Sequence, residues 1–212
     1  MDIRNYFKRL NVLEERHKAV QTNILDEDCW IEQGHINNIE YDFDTLWCIH
    51  PEEFGSVKYG SKVISTPRWQ KCYCRPYYFS GMTHDALPLP NEFQPFLEWA
   101  NSLLYPDWKF NQVLVNWYGD GHHYISKHAD AEYQIVPKSP IVSISLGQER
   151  TFRIRNKSDD AIVLDLPMPD KTYVSMCGAM QERFLHEVPK VMGAKGEKMG
   201  RRINITFRVF KT

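Results

Sequence analysis

The sequence predicts a mainly β chain, α+β in class, built as an antiparallel sandwich or jelly roll with helices added. Three observations carry this. Short strand-like stretches follow one another at 110–118, 123–128, 141–146, 151–155, 162–166, 172–176, 183–187 and 202–209, separated by turn residues. Helical spacing occurs only ahead of them. The last stretch, Arg202-Ile203-Asn204-Ile205-Thr206-Phe207-Arg208, sorts by parity into an apolar and a polar row, as a strand's alternating side chains require.

Taken in order, Ile3, Tyr6, Phe7, Leu10, Leu13 and Val20 recur at mostly helical spacing, which predicts an amphipathic helix over 3–20. Ile39, Tyr41 and Phe43 alternate as in a strand. A turn-rich stretch surrounds Pro51, Gly55 and Gly60. Asn91 can cap a helix that starts near Glu92, carries Phe93, Phe96, Leu97, Ala100, Leu103 and Leu104, and stops before Pro106. The strand series then runs almost to the C-terminus, which leaves no room for a second domain, and neither repeats nor a linker interrupt it.

A length of 212 residues suits one domain with a sizeable core. Hydrophobic residues at 42% and charged residues at 25% are ordinary for a soluble globular protein. The formal net charge of −1 excludes a strongly basic nucleic-acid coat. It leaves local basic patches open. Five cysteines form no zinc-like pair, and Cys72 and Cys74 lack companion ligands, so free thiols in a reducing compartment are expected. The first twenty residues mix charges and offer no signal core, and no run is long enough to span a bilayer. A nuclear or cytoplasmic monomer is therefore expected.

The polar row of the last strand holds Arg202, Asn204, Thr206 and Arg208. Standing alone, it reads more readily as an edge strand with one wet face. If it faces inward, its guanidiniums need an anion, preferably a carboxylate or phosphate. Upstream lie Asn116-Trp117-Tyr118, His128-Ala129-Asp130-Ala131-Glu132 and His186. His128 and Asp130, two apart, point to one side of an extended segment, and a distant strand can supply His186. Two histidines and one carboxylate fit the facial triad of non-haem Fe(II) oxygenases, with coordination positions left open. His-x-Asp alone is a weak signal, and His122 and His123 are rival imidazoles.

The ordered set is far more specific. Asn-x-Tyr, His-x-Asp-x-Glu, His and Arg-x-Asn-x-Thr-Phe-Arg come in sequence, with Tyr77-Tyr78-Phe79-Ser80-Gly81, Ser139-Pro140-Ile141 and Ser143-Ile144-Ser145-Leu146-Gly147. It resembles the AlkB family of Fe(II)- and 2-oxoglutarate-dependent nucleic-acid dealkylases, above all eukaryotic-type members that act on DNA. The match runs from about Pro67 to Phe210.

The resemblance implies a double-stranded β-helix (jelly roll) with buttressing helices. It implies a dioxygenase domain over 67–212, and over 1–66 an N-terminal extension and nucleotide-recognition region belonging to the same fold. It implies Fe(II), 2-oxoglutarate and O2, with His128, Asp130 and His186 on the metal. Arg202 takes the remote carboxylate of 2-oxoglutarate with a Tyr118 hydroxyl bond. Asn116 and Asn204 donate amide bonds, Thr206 shares their face, and Arg208 lies near the C1 end. Arg201 has the wrong parity.

The implied reaction is oxidative demethylation of alkylated bases in DNA, or alternatively RNA, releasing formaldehyde, succinate and CO2. Glu132 falls at an acidic position facing the target base and Arg208. A base must leave the stack to be reached. Phe79 aligns with an aromatic that stacks on it, Tyr77 edges the pocket, and Tyr59 is a candidate wedge. Phosphate contacts are sought in Lys190, Lys195, Lys198 and Arg201, in Arg153 and Arg155, and in Lys62, Arg68, Lys71 and Arg75. The alternative reading is a hydroxylase of a protein side chain or small molecule on the same scaffold. Near-neutral net charge favours it.

Overall fold

The computed structural model describes residues 21–37, 39–102 and 108–212. The expected helix over 3–20 lies outside the described residues, as does the end of the helix predicted to stop before Pro106.

The first elements are β1 (Gln21–Asp26), β2 (Cys29–His35), α1 (Phe43–Cys48), β3 (Ser56–Tyr59), β4 (Lys62–Ser65), β5 (Trp69–Tyr73), β6 (Tyr77–Phe79), β7 (Met82–His84) and β8 (Ala86–Leu87). A 3-10 turn, Asn91–Phe93, leads into α2 (Gln94–Ser102). The jelly-roll strands follow: β9 (Gln112–Tyr118), β10 (Ile125–His128), β11 (Ile141–Gly147), β12 (Arg150–Asn156), β13 (Ile162–Met168), β14 (Thr172–Gly178), β15 (Phe184–Val188) and β16 (Arg202–Arg208). Short helices α3 (Met180–Arg183) and α4 (Gly193–Glu197) interrupt the last connections. Each strand predicted from residue 110 onward is present.

Two sheets face each other. One has the order β1-β2-β14-β11-β16-β9-β5-β8, the other β10-β15-β12-β13. The pairs β3–β4 and β6–β7 are separate hairpins. On the outer side of the large sheet, Ile203, Ile205 and Phe207 pack in one core cluster with Phe93, Phe96 and Leu46 from the helical segments. Burying each such side chain contributes about 1.5–3 kcal/mol. A slip of one residue would turn that row away from the helices. This burial fixes which face of β16 looks inward, between the sheets.

Two sequence expectations are corrected. Ile39, Tyr41 and Phe43 do not form a strand, because Phe43 opens α1. Asp42 caps that helix, its Oδ1 accepting from the Thr45 N–H at 3.1 Å. Asn91 is no side-chain cap either. It lies inside the 3-10 turn, whose cap is Pro90, and proline at a helix start suits a position that needs no N–H. The hairpin β1–β2 was not anticipated from the sequence. It extends the large sheet through β14, with Trp30 opposite Cys177. Gly178, at φ +69°, lets β14 pass over it, since a Cβ there would sit 2.0 Å from the Asp28 carbonyl oxygen.

Candidate active site

β16 pairs with β9 so that Arg202 faces Tyr118, Asn204 faces Asn116 and Arg208 faces Gln112. The polar rows of both strands therefore coincide and look into a cavity of about 400 Å³ between the sheets. Such a volume falls in the range of small-molecule sites.

The opposite wall supplies the imidazoles. β10 pairs with β15, Ile125 opposite Val188 and His128 opposite His186, with a register shift between. That bulge sets the two histidines opposite each other, their ring centroids 4.2 Å apart and the rings tilted by 49°. Asp130 follows just beyond the strand. One ligand atom from each of His128, Asp130 and His186 lies within 4.8 Å of the others. Burial lowers the pKa of both imidazoles, and His128 adds to the depression of His186. Burial would raise Asp130, but Arg208 and the two histidines outweigh it and hold the carboxyl at about 2. Neutral imidazoles beside an ionised carboxylate are the donor set a divalent cation needs. The His128 Nδ1 sits 2.8 Å from the Ser126 carbonyl oxygen. An Nδ1–H donating there leaves Nε2 bare for a metal.

Arg208 donates from Nε and Nη2 to the Asp130 Oδ2 at 3.0 and 2.8 Å, and from Nη1 to the Gln112 Oε1 at 3.1 Å. This occupies one carboxylate oxygen and leaves Oδ1 toward His128, at 3.8 Å from its Nε2. Arg202 is the opposite case. Its Nε donates to the Ser145 Oγ at 2.9 Å and its guanidinium lies over the Tyr118 ring. Nη1 is buried with no partner. Burial pushes its pKa down to about 10. A buried guanidinium without a counter-charge is unfavourable until an anion arrives. The carboxylate of 2-oxoglutarate is the anion this orphaned group fits.

The other residues singled out in the sequence divide. The Asn204 Nδ2 donates to the Ser143 Oγ and the Ile144 carbonyl, and Thr206 Oγ1 donates to the Asn204 Oδ1. Asn116 accepts at Oδ1 from the Arg68 Nε at 2.7 Å. The Tyr77 hydroxyl donates to the Glu132 Oε2 at 2.6 Å, and burial followed by the Asp130 charge raises the Glu132 carboxyl. Phe79 lines the cavity 4.9 Å from Tyr77 and stacks on His84 at 3.8 Å. Tyr59 ends β3, but its side chain lies outside what the structure describes. Lys190, Lys195 and Lys198 are exposed on the segment around α4, and none lines the cavity.

The rival histidines stand apart. The His123 Nδ1 accepts from the Gly119 N–H, and its ring packs on Trp69. Arg201 turns away as its parity required, pairing with Asp44 at 2.6 Å. Arg153 and Arg155 are not free for phosphate, since they pair with Asp165 and Glu187 across the small sheet. Arg68 is no surface cation. It is buried in the cavity wall, holding Asn116 and Gln70.

Sequence reasoning missed Arg68's inward role and Gln181. The Gln181 Oε1 accepts from the Asp130 N–H at 2.8 Å and so anchors the ligand-bearing segment. No spacing signal links it to Asp130; α3 simply brings it there.

The chain belongs to the 2OG-Fe(II) oxygenase superfamily, whose family model matches residues 55–208. Its curated relatives place it in the AlkB branch. It is similar to the DNA oxidative demethylase ALKBH2 of Homo sapiens, 31% identical over 162 residues, covering 72% of this chain and 60% of that protein. It is similar to the alpha-ketoglutarate-dependent dioxygenase alkB homolog 3 of Rattus norvegicus, 31% identical over 143 residues, covering 63% of this chain and 46% of that protein. The chain thus spans about 60% of the first relative's length. The solved structure titled "The structure of OsALKBH1" shares the fold, with a TM-score of 0.59 at 14% identity over 89% of this chain and all (100%) of the other. Among the described residues, no helix is long and apolar enough to cross a membrane.

Proposed function

We propose that this protein oxidatively demethylates alkylated bases in DNA or RNA, using Fe(II), 2-oxoglutarate and O2. One observation carries the reading. A single cavity holds the His128–Asp130–His186 cluster, the unpaired Arg202 and an aromatic wall of Tyr77 and Phe79. ALKBH2, a DNA oxidative demethylase by name, is among the similar proteins.

His128, Asp130 and His186 would hold the iron, which supplies the power to oxidise an unactivated C–H with O2 and 2-oxoglutarate. The protein's own groups do the rest. Arg202 binds the distal carboxylate of 2-oxoglutarate, with Tyr118 beneath its guanidinium. Arg208 neutralises and orients Asp130. Tyr77 and Glu132 present a hydroxyl and a carboxylate toward a base, and Phe79 offers it a flat face. An N-methyl carbon hydroxylated in this pocket loses formaldehyde and restores the N–H, while 2-oxoglutarate leaves as succinate and CO2.

The test is incubation of methylated oligonucleotides with the Fe(II) protein and 2-oxoglutarate, read by mass spectrometry. Loss of one methyl mass with stoichiometric formaldehyde is expected. Succinate formed without any demethylated product, across single-stranded and duplex panels, would overturn the base reading and favour the protein or small-molecule hydroxylase.

A further inference from the structure

Just outside the pocket two tyrosines stand exposed, Tyr78 on the outer side of β6 and Tyr133 in a turn. Tyr77 and Glu132 face inward, joined by their hydrogen bond. Their chain neighbours Tyr78 and Tyr133 face outward, 40% and 72% exposed. The two outer rings lie 6.3 Å apart, tilted by 48°. They are held in place rather than left loose. Gln134 accepts at Oε1 from the Tyr78 N–H at 2.6 Å and donates from Nε2 to the Pro76 carbonyl at 3.1 Å. Its own carbonyl accepts from the Lys211 N–H at 2.9 Å. The Lys211 Nζ donates to the Tyr133 carbonyl at 2.6 Å.

Beside Tyr133 lies a hollow of about 350 Å³, lined in part by Lys138, Lys157 and Lys211. Three acids also border it. Asp130 and Glu132 are already engaged by Arg208 and Tyr77. Glu182 is the third, and Lys138 reaches Asp28 at 3.2 Å. Fixed, exposed aromatic rings beside lysines match the way single strands are bound, with bases stacked on rings and phosphates on cations.

We infer that Tyr78 and Tyr133 form a stacking platform for the unpaired nucleotide next to the target base, with its phosphate toward the Lys211 side. The inference rests on the base-demethylase reading and specifies it further: the platform favours single strands. A duplex keeps the neighbouring base paired and stacked, so only an unpaired neighbour can use the two rings.

The experiment compares three substrates carrying one methylated base: a trinucleotide, the same with a 5′ extension, and the same with a 3′ extension. KM is measured with the Fe(II) protein and 2-oxoglutarate. The wild type should gain from one of the two extensions. The Tyr78→Ala/Tyr133→Ala double variant should lose that gain by at least about fivefold, the loss of a stacking face. The Tyr78→Phe/Tyr133→Phe variant keeps the rings and should retain it, which separates stacking from misfolding. An extension gain of equal size in the alanine variant overturns the platform while leaving the demethylase reading intact. No turnover of any oligonucleotide by the wild type overturns both.

Discussion

Arg202 and Arg208 end the same strand, point the same way and are equally buried, yet they are in opposite electrostatic states. Arg208 has a partner within the protein. Burial works against its charge, but Asp130 prevails and holds its pKa above the ordinary value. Arg202 has no carboxylate, and burial holds it down at about 10. A folded chain tolerates a desolvated guanidinium poorly. On the proposed function the difference assigns each its part: Arg208 orients Asp130 from within, while Arg202, with Nη1 unpartnered, is left for an anion from outside.

The largest effect is expected from breaking the completed end. Asp130→Ala should abolish turnover and metal binding, read by formaldehyde release and by metal content. It also leaves Arg208 buried without its counter-charge. Removing one partner of a buried pair costs about 3–5 kcal/mol, so the melting temperature should fall clearly. An Asp130→Ala variant as stable as wild type would show that Arg208 does not depend on Asp130.

At the waiting end, Arg202→Met should raise the KM for 2-oxoglutarate by about 100-fold or more, the consequence of an unpaired buried carboxylate. Without 2-oxoglutarate, the same variant should melt no lower than wild type, because a desolvated cation has been replaced by an apolar chain of similar length. Added 2-oxoglutarate should stabilise the wild type by mass action and leave Arg202→Met unmoved. Thermal melts with and without the cosubstrate give both readings. If Arg202→Met melts as low as Asp130→Ala, the two ends are not different in kind.

Phe79→Ala sharpens the contrast at the substrate side. Loss of its face should weaken methylated-oligonucleotide turnover by about 1–3 kcal/mol. The KM for 2-oxoglutarate should stay put, since the ring neighbours of Phe79 are Tyr77 and His84 rather than Arg202. Kinetics with each substrate varied in turn decide it. A shift confined to 2-oxoglutarate would place Phe79 elsewhere in the mechanism.

Much of this was legible in the chain. Alternation in 202–208 gave the inward row because the opposite row, Ile203, Ile205 and Phe207, had to be buried. His-x-Asp with a distant histidine gave the cluster because few ligand spacings suit a chelate. What stayed hidden depends on long-range partners. Arg68 reads as a surface cation beside Lys62 and Lys71, and only the pairing of β5 with β9 turns it toward Asn116. Arg153 and Arg155 share parity on a strand, yet the neighbouring strands bring Asp165 and Glu187 to meet them. Residues 39–43 alternate like a strand, yet 39–42 form no strand and Asp42 caps a helix that begins at Phe43.

The smallest effect is expected next door to Arg202, and it tests the register on which the comparison rests. Arg201 sits on the outer face, paired with Asp44 and lying over Phe43 and Trp47. Its side chain is 44% exposed and that of Asp44 74%. Exposed pairs are worth about 0–1 kcal/mol, and stem packing adds little. Arg201→Ala should therefore leave the 2-oxoglutarate KM within about twofold and stability within about 1 kcal/mol. Titration of 2-oxoglutarate alongside a melt checks both. Were Arg201→Ala to raise that KM as Arg202→Met is expected to, the strand would be turned by one residue, with Ile203 and Ile205 facing the cavity instead of the helices.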